Sequence, residues 1–181
     1  MKDLTYITGH SKKANEIARY LNTKVKHHKL DLPEVQSLDP VEVVTLKAQE
    51  AYRQLACPVL VEDYSMRFEA LGKLPGPLIK WFLEELQPDG LCKLLDGYES
   101  SRATAQTCFG FCDESGVQVF IGEITGTITA RPRGEYGYGT DAIFIPDGQS
   151  KTWGEMNSQE KITYSLRRIG LEKLEAYLEN K

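Results

Sequence analysis

At 181 residues the chain can build one substantial core, or two lobes of one domain, and is hardly long enough for two independent domains, so residues 1–181 read as a single domain. Hydrophobic residues make up 41% and charged residues 27%, a globular composition that argues against extended disorder. The formal net charge of -4, from 26 acidic and 22 basic residues, argues against nucleic acid or an anionic membrane as a partner; any anion the protein binds must meet a local basic site.

In chain order, Leu4 to Thr8 reads as a first strand, followed at Gly9 by a helical pattern with Ala14, Ile17, Ala18 and Leu21 on one face. A second strand is expected around Lys24 to Leu32, stopped by Pro33. Asp39-Pro40 opens a helix through Val43, Val44, Lys47, Ala48, Ala51 and Leu55. Pro58 to Val61 is a short apolar strand, buried on both faces, that delivers Glu62-Asp63 at its C-terminal end. The turn-rich loop Leu71 to Pro77 leads into a helix over Leu78 to Leu86, and a short helix covers Gly90 to Leu95. Ser101 to Cys112 and Val117 to Thr129 then read as two long strands joined at Asp113-Glu114-Ser115-Gly116. A short strand at Ala142 to Ile145 and a last helix from about Ile162 to Leu178 complete the order. This alternation predicts an α/β fold with a mixed, twisted β-sheet and flanking helices.

The N-terminal residues Met1 to Leu4 run straight into the first strand without the h-region of a signal peptide, and no apolar stretch reaches membrane-spanning length. Cys57, Cys92, Cys108 and Cys112 lack paired C-x-x-C spacing, and a chain of this size folds without disulfides. A reduced, cytoplasmic protein is the expectation.

Several positions carry groups suited to anion chemistry. Thr8, Gly9, His10, Ser11, Lys12 and Lys13 join a strand to a helix N-terminus, where free N–H groups and the helix dipole favour an anion; a surface turn with a good helix start accounts for them equally well. Glu34 follows Pro33 in a loop, and Asp63 ends a buried strand. Carboxylates at such places either hold Mg²⁺, which prefers oxygen ligands and bridges phosphates, or act as caps and solvated loop charges. Lys47 and Lys80 lie beside apolar helical positions, from which they either snorkel to water or reach a polyphosphate. Tyr138, Gly139, Thr140 and Asp141 form a glycine-bounded loop with an aromatic that either stacks on a base or packs internally, and Lys161 with Leu166-Arg167 lies on the last helix.

In this order the segments resemble the inosine triphosphate pyrophosphatase family. The motifs are TGHSKK from Thr8, DLPEVQS from Asp31, VEDYSMRFEALGKLPGPLIKWF from Val61, RATAQTCFGF from Arg102, GYGTDAIFIPDG from Gly137, KTWGEM from Lys151 and EKITYSLRR from Glu160. The most specific run is ALGKLPGPLIKWF, Ala70 to Phe82. The resemblance implies an elongated mixed sheet of two lobes around a central cleft, a homodimer, and Mg²⁺-dependent hydrolysis of a nucleoside triphosphate to a monophosphate and pyrophosphate. It implies that Thr8 through Lys13 line the phosphates, that Glu34 and Asp63 hold Mg²⁺ with Asp63 activating water, and that Lys13, Lys47, Lys80 and Lys161 neutralise phosphate charge. Tyr64 joins the substrate-binding set, and Tyr138 to Asp141 with Leu166 and Arg167 surround the base.

Three positions depart from the family pattern: His10 stands where Asn is usual, Thr140 where an aromatic is usual, and Leu166 where His is usual. The expected substrates are therefore non-standard purine triphosphates (ITP, dITP, XTP), with another nucleotide under the same chemistry, or a nucleotide-binding protein without turnover, as alternatives.

Overall fold

The computed structural model describes residues 4–181, apart from the side chain of Lys12. The expectation for the extreme N-terminus thus falls largely outside the described residues. Strand β1 (Leu4–Ile7) is followed by helix α1 (Ser11–Tyr20), whose Ala14 and Ile17, with Leu21 beyond its end, supply the buried stripe that the periodicity predicts. Strand β2 is confined to Val25–His28, registered in parallel with β1 from Leu4↔Val25 to Ile7↔His28. It is shorter than the expected run to Leu32 because its neighbour β1 ends at Ile7, which leaves residues 29–32 without a ladder to join.

Helix α2 (Pro40–Leu55) starts as a capped helix should. The Asp39 carboxylate accepts from the Val41 amide at 2.9 Å and Pro40 occupies the first turn, where its missing N–H costs nothing. Val43, Val44, Ala48 and Ala51 face inward. Strand β3 (Val59–Phe68) is longer than expected: Ser65, Met66 and Phe68 are buried while Arg67 is exposed, so the sheet pattern continues through the acidic pair. Glu62 and Asp63 are consequently mid-strand, just past the residues of β3 registered with β1 (Thr5↔Val59, Tyr6↔Leu60), rather than at a strand terminus.

The short strand β4 (Pro75–Gly76) pairs antiparallel with β3, and α3 (Ile79–Lys93) follows it. Gln87 (φ 56°, ψ 172°) breaks α3 ahead of Pro88, dividing it into the two helical pieces the sequence suggests. Strands β5 (Arg102–Asp113) and β6 (Gly116–Ile128) are neighbours in the sheet, joined through Glu114-Ser115. Gly110 of β5 lies so near α2 that a Cβ there would meet the Val44 carbonyl at 2.9 Å, so the helix packs directly on the strand backbone.

Ala142 belongs to a 3₁₀ turn, Gly139–Ala142, and β7 is Phe144–Pro146 rather than Ala142 to Ile145. The single last helix expected from the sequence is two helices, α4 (Ser158–Thr163) and α5 (Leu166–Glu179). Tyr164 (φ -114°, ψ 35°) leaves the helical region between them.

The seven strands form one mixed sheet in the order β2-β1-β3-β5-β6-β7, with β4 on β3. By internal contacts the chain divides into two compact units, unit 1 from residues up to Asp63, Thr107–Gly122 and Arg167–Lys181, and unit 2 from Tyr64–Gln106 and Glu123–Leu166. Unit 1 holds two apolar clusters, one around Tyr6, Ile17, Phe109 and Leu174 and one around Val44, Ala48, Val61 and Cys108. Unit 2 holds a third, around Met66, Phe68, Leu91, Phe144 and Trp153. All four cysteines are free, and among the described residues no helix is long and apolar enough to cross a membrane.

Candidate active site

The residues singled out in the sequence fall into two groups, one in each unit. In unit 1 the chain leaves β1 through Thr8, whose amide donates to the His28 carbonyl at 2.9 Å, and the His10 amide donates to Thr8 Oγ1 at 3.1 Å. His10 caps α1 without a side-chain bond, and the first turn of the helix contains no acidic residue. The free amides and the positive end of the dipole are therefore not neutralised from within the helix, and Gly9, His10 and Ser11 are exposed while Lys13 is half-buried.

Asp63 belongs to the same unit, and its Oδ2 accepts from Lys47 Nζ at 3.3 Å. The two side chains are 25% and 22% exposed, so the carboxylate is held but not sealed from solvent. Glu34 is exposed on the irregular segment after β2. Among the described residues no three His, Cys, Asp or Glu side chains converge as a preformed metal cage. That donor set suits a hard cation which takes one or two carboxylates from the protein and the rest of its oxygens from phosphate and water.

The neighbouring carboxylate is committed elsewhere. Glu62 receives Arg167 in a bidentate pair, Nε to Oε1 at 2.6 Å and Nη2 to Oε2 at 2.7 Å, and the Tyr6 hydroxyl donates to the same Oε2. Arg167 Nη1 also reaches Glu16 Oε2 at 2.9 Å, and Nη2 reaches the Tyr6 hydroxyl at 3.3 Å. Burial pushes the Glu62 carboxyl up, but the Arg167 charge and bonds, with the nearby Lys13 charge and the Tyr6 bond, pull harder and hold it below the usual range. Burial pulls Arg167 down and Glu62 more than reverses it, so the guanidinium is raised. These four bonds leave Arg167 one of its five N–H groups for any other partner.

Neither Glu62 as the holder of Arg167 nor Tyr6 and Glu16 as its other partners is among the functional residues expected from the sequence. The one available signal was strand alternation, which sends adjacent Glu62 and Asp63 to opposite faces and so assigns them different work.

In unit 2, Tyr64 from β3 and Thr140 from the 3₁₀ turn share a hydroxyl–hydroxyl bond of 2.7 Å. Burial holds the Tyr64 phenol well above the ordinary tyrosine value, against the pull of the Thr140 bond, so it stays protonated. Asp141 Oδ2 accepts from Lys161 Nζ at 2.8 Å and from the Tyr138 amide at 3.4 Å. Gly137 (φ +85°) is required here, since a Cβ would run into the Asp141 carboxylate and lie 2.6 Å from Lys161 Nζ. Tyr138 projects from this turn 79% exposed. Lys80 is exposed in the first turn of α3, its Nζ 5.3 Å from the centre of the Trp81 ring. Leu166 is 7% exposed and packs in the apolar cluster of unit 2, whereas Arg167, the next residue, belongs to unit 1.

The chain is similar to known proteins over nearly its whole length. It is 43% identical over 178 residues to inosine triphosphate pyrophosphatase 2 of Trypanosoma cruzi, covering 96% of this chain and 91% of that protein. It is 42% identical, with the same coverage, to inosine triphosphate pyrophosphatase 1 of the same organism. Its fold matches that of a HAM1 protein from Coxiella burnetii with a TM-score of 0.89 over 100% of both chains, at 24% identity. The model of the Ham1 family matches residues 4–177, and the chain therefore belongs to the Ham1 family.

Proposed function

We propose that this protein is a Mg²⁺-dependent nucleoside triphosphate pyrophosphatase that hydrolyses non-standard purine nucleotides such as ITP, dITP and XTP to a monophosphate and pyrophosphate. The observation that carries the reading is the near full-length similarity to two proteins named inosine triphosphate pyrophosphatase. Within unit 1, the open N-terminus of α1 with Lys13 suits phosphate oxygens, and the Thr8 and Ser11 hydroxyls add donors. Lys47 places positive charge beside Asp63. Asp63 and Glu34 are the residues that would hold Mg²⁺, whose contribution when bound is to neutralise phosphate charge and orient the substrate. Asp63 takes the proton of the attacking water as it adds across the α–β anhydride, with pyrophosphate leaving. Lys80 and Lys161 supply further positive charge to the phosphates, and Tyr138, presented by the anchored Gly137–Asp141 turn, stacks on the base.

Base selection follows from the side chains present. Thr140 is spent on Tyr64, Leu166 has no donor and is buried, and Arg167 keeps one N–H, so few donors remain to recognise a 6-oxo group. Preference for ITP and XTP over ATP is therefore expected to be weak, by about tenfold for each missing polar contact. The check is pyrophosphate release with Mg²⁺ across ITP, XTP, dITP, ATP and GTP. Release from none of them would refute the activity, kcat/KM for ITP more than about a thousandfold above ATP would refute the account of the base, and release persisting in excess chelator would refute the metal. We further propose a homodimer, on the resemblance and on the exposure of Trp81 (53%) and Leu86 (37%) along α3. A monomer mass by light scattering at micromolar protein would overturn that part.

A further inference from the structure

Successive residues of the Gly137–Asp141 turn are fastened by different elements of unit 2. Thr140, 3% exposed, is bonded to Tyr64 of β3, and Asp141 is bonded to Lys161 of α4. The Tyr64 ring packs against the apolar cluster of the unit, so its hydroxyl is delivered from a fixed base rather than from a mobile chain. A buried hydroxyl needs a partner, and the Thr140 hydroxyl has one in Tyr64. The glycines on either side of Tyr138 sit at positive φ (+85° and +63°), a conformation open to glycine without steric cost that fixes the path of the turn through Tyr138. Tyr138, by contrast, is left 79% exposed.

We propose that Tyr64 is a positioning residue for base binding: through its bond to Thr140 it sets the turn that presents the Tyr138 ring. This rests on the reading of Tyr138 as the residue that stacks on the base. Tyr64 does its work without touching the nucleotide, and its neighbour Asp63 in sequence serves the phosphate end, so one stretch of β3 serves two separate tasks. Preorganising an exposed aromatic lowers the ordering cost of stacking, and a base–aromatic stack is strong enough for its misplacement to be read in affinity.

The test is binding by calorimetry, which needs no turnover, with inosine monophosphate and inorganic pyrophosphate as probes. Tyr64→Phe is expected to weaken inosine monophosphate by about tenfold and to leave pyrophosphate within about twofold. Thr140→Ser, which keeps a hydroxyl, should retain most of the affinity, whereas Thr140→Val should match Tyr64→Phe. In a Tyr138→Ala background the Tyr64→Phe change should have no further effect, a result that general loosening of the fold would not produce. If Tyr138→Ala weakens inosine monophosphate while Tyr64→Phe does not, or if the two effects add, the positioning role is wrong and the stacking role stands. If Tyr138→Ala leaves the affinity unchanged, the stacking reading falls and this proposal with it. Pyrophosphate binding weakened as much as the nucleotide by Tyr64→Phe would also overturn it.

Discussion

Asp63→Asn is expected to stop pyrophosphate release, by at least about a hundredfold in kcat, the lower end of what general-base catalysis contributes. The substitution keeps shape and volume and removes only the negative charge, which is the feature that a metal ligand and a proton acceptor have in common. The fold should survive it. Asp63 is 25% exposed, its Lys47 partner at 3.3 Å is similarly open to water, and pairs of this kind contribute at most about 1 kcal/mol. Release assays on the purified variant, with circular dichroism to confirm the melting curve, separate the two effects. Turnover within about tenfold of the parent, about 1.4 kcal/mol on the barrier, would remove Asp63 from the chemistry.

Arg167→Met should be the most damaging substitution for stability. It leaves the Glu62 carboxylate, 12% exposed, with only the nearby Lys13 charge and the Tyr6 hydroxyl bond to offset its burial, and the cost of an under-compensated carboxylate there is about 2–3 kcal/mol after allowing for the partial exposure of Arg167. For a chain of this size that lowers Tm by about 5–10 °C. The dependence on pH identifies the cause. In the parent, the Glu62 carboxyl lies below its unfolded value, so its stabilisation is present above about pH 4.5 and is lost as pH falls through the folded value. Without Arg167 the two largest influences lowering the folded value are gone and it rises; the variant's deficit is then largest near neutrality and shrinks toward acid. Adding Glu62→Gln should recover part of the loss, since the amide carries no charge to strand. A deficit that is the same at pH 5 and pH 7.5, or that Glu62→Gln deepens, would mean that the pair is not what holds α5 in unit 1.

Much of this fold is legible along the chain because periodicity and punctuation act locally. Asp39-Pro40 announces α2, Pro88 divides α3, and Asp113 to Gly116 marks the turn between β5 and β6. The errors share a different origin. The acidic pair Glu62-Asp63 looked like a strand end because its partners are not local: Glu62 is answered by Arg167, 105 positions later. The break at Tyr164 is likewise invisible to a helical pattern that runs through it. It exists because Leu166 fills one core while Leu171 and Leu174 fill another. The candidate site shows the same division. The open start of α1 can be read from Gly9 to Lys13, whereas the commitment of Thr140 to Tyr64 depends on β3 continuing past the carboxylates.

The interleaving of the units also bears on how the protein is made. The chain passes from one unit to the other after Asp63, Gln106, Gly122 and Leu166, so no contiguous fragment contains the whole of unit 1. During synthesis every residue of unit 2 has left the peptidyl transferase before the α5 residues of unit 1 are joined. Until then the cluster around Tyr6, Ile17 and Phe109 lacks Leu171 and Leu174, and Glu62 waits without its guanidinium. Unit 1 therefore keeps an apolar face open until α5 docks, which makes that docking the step at which the nascent chain stops being a client for chaperones.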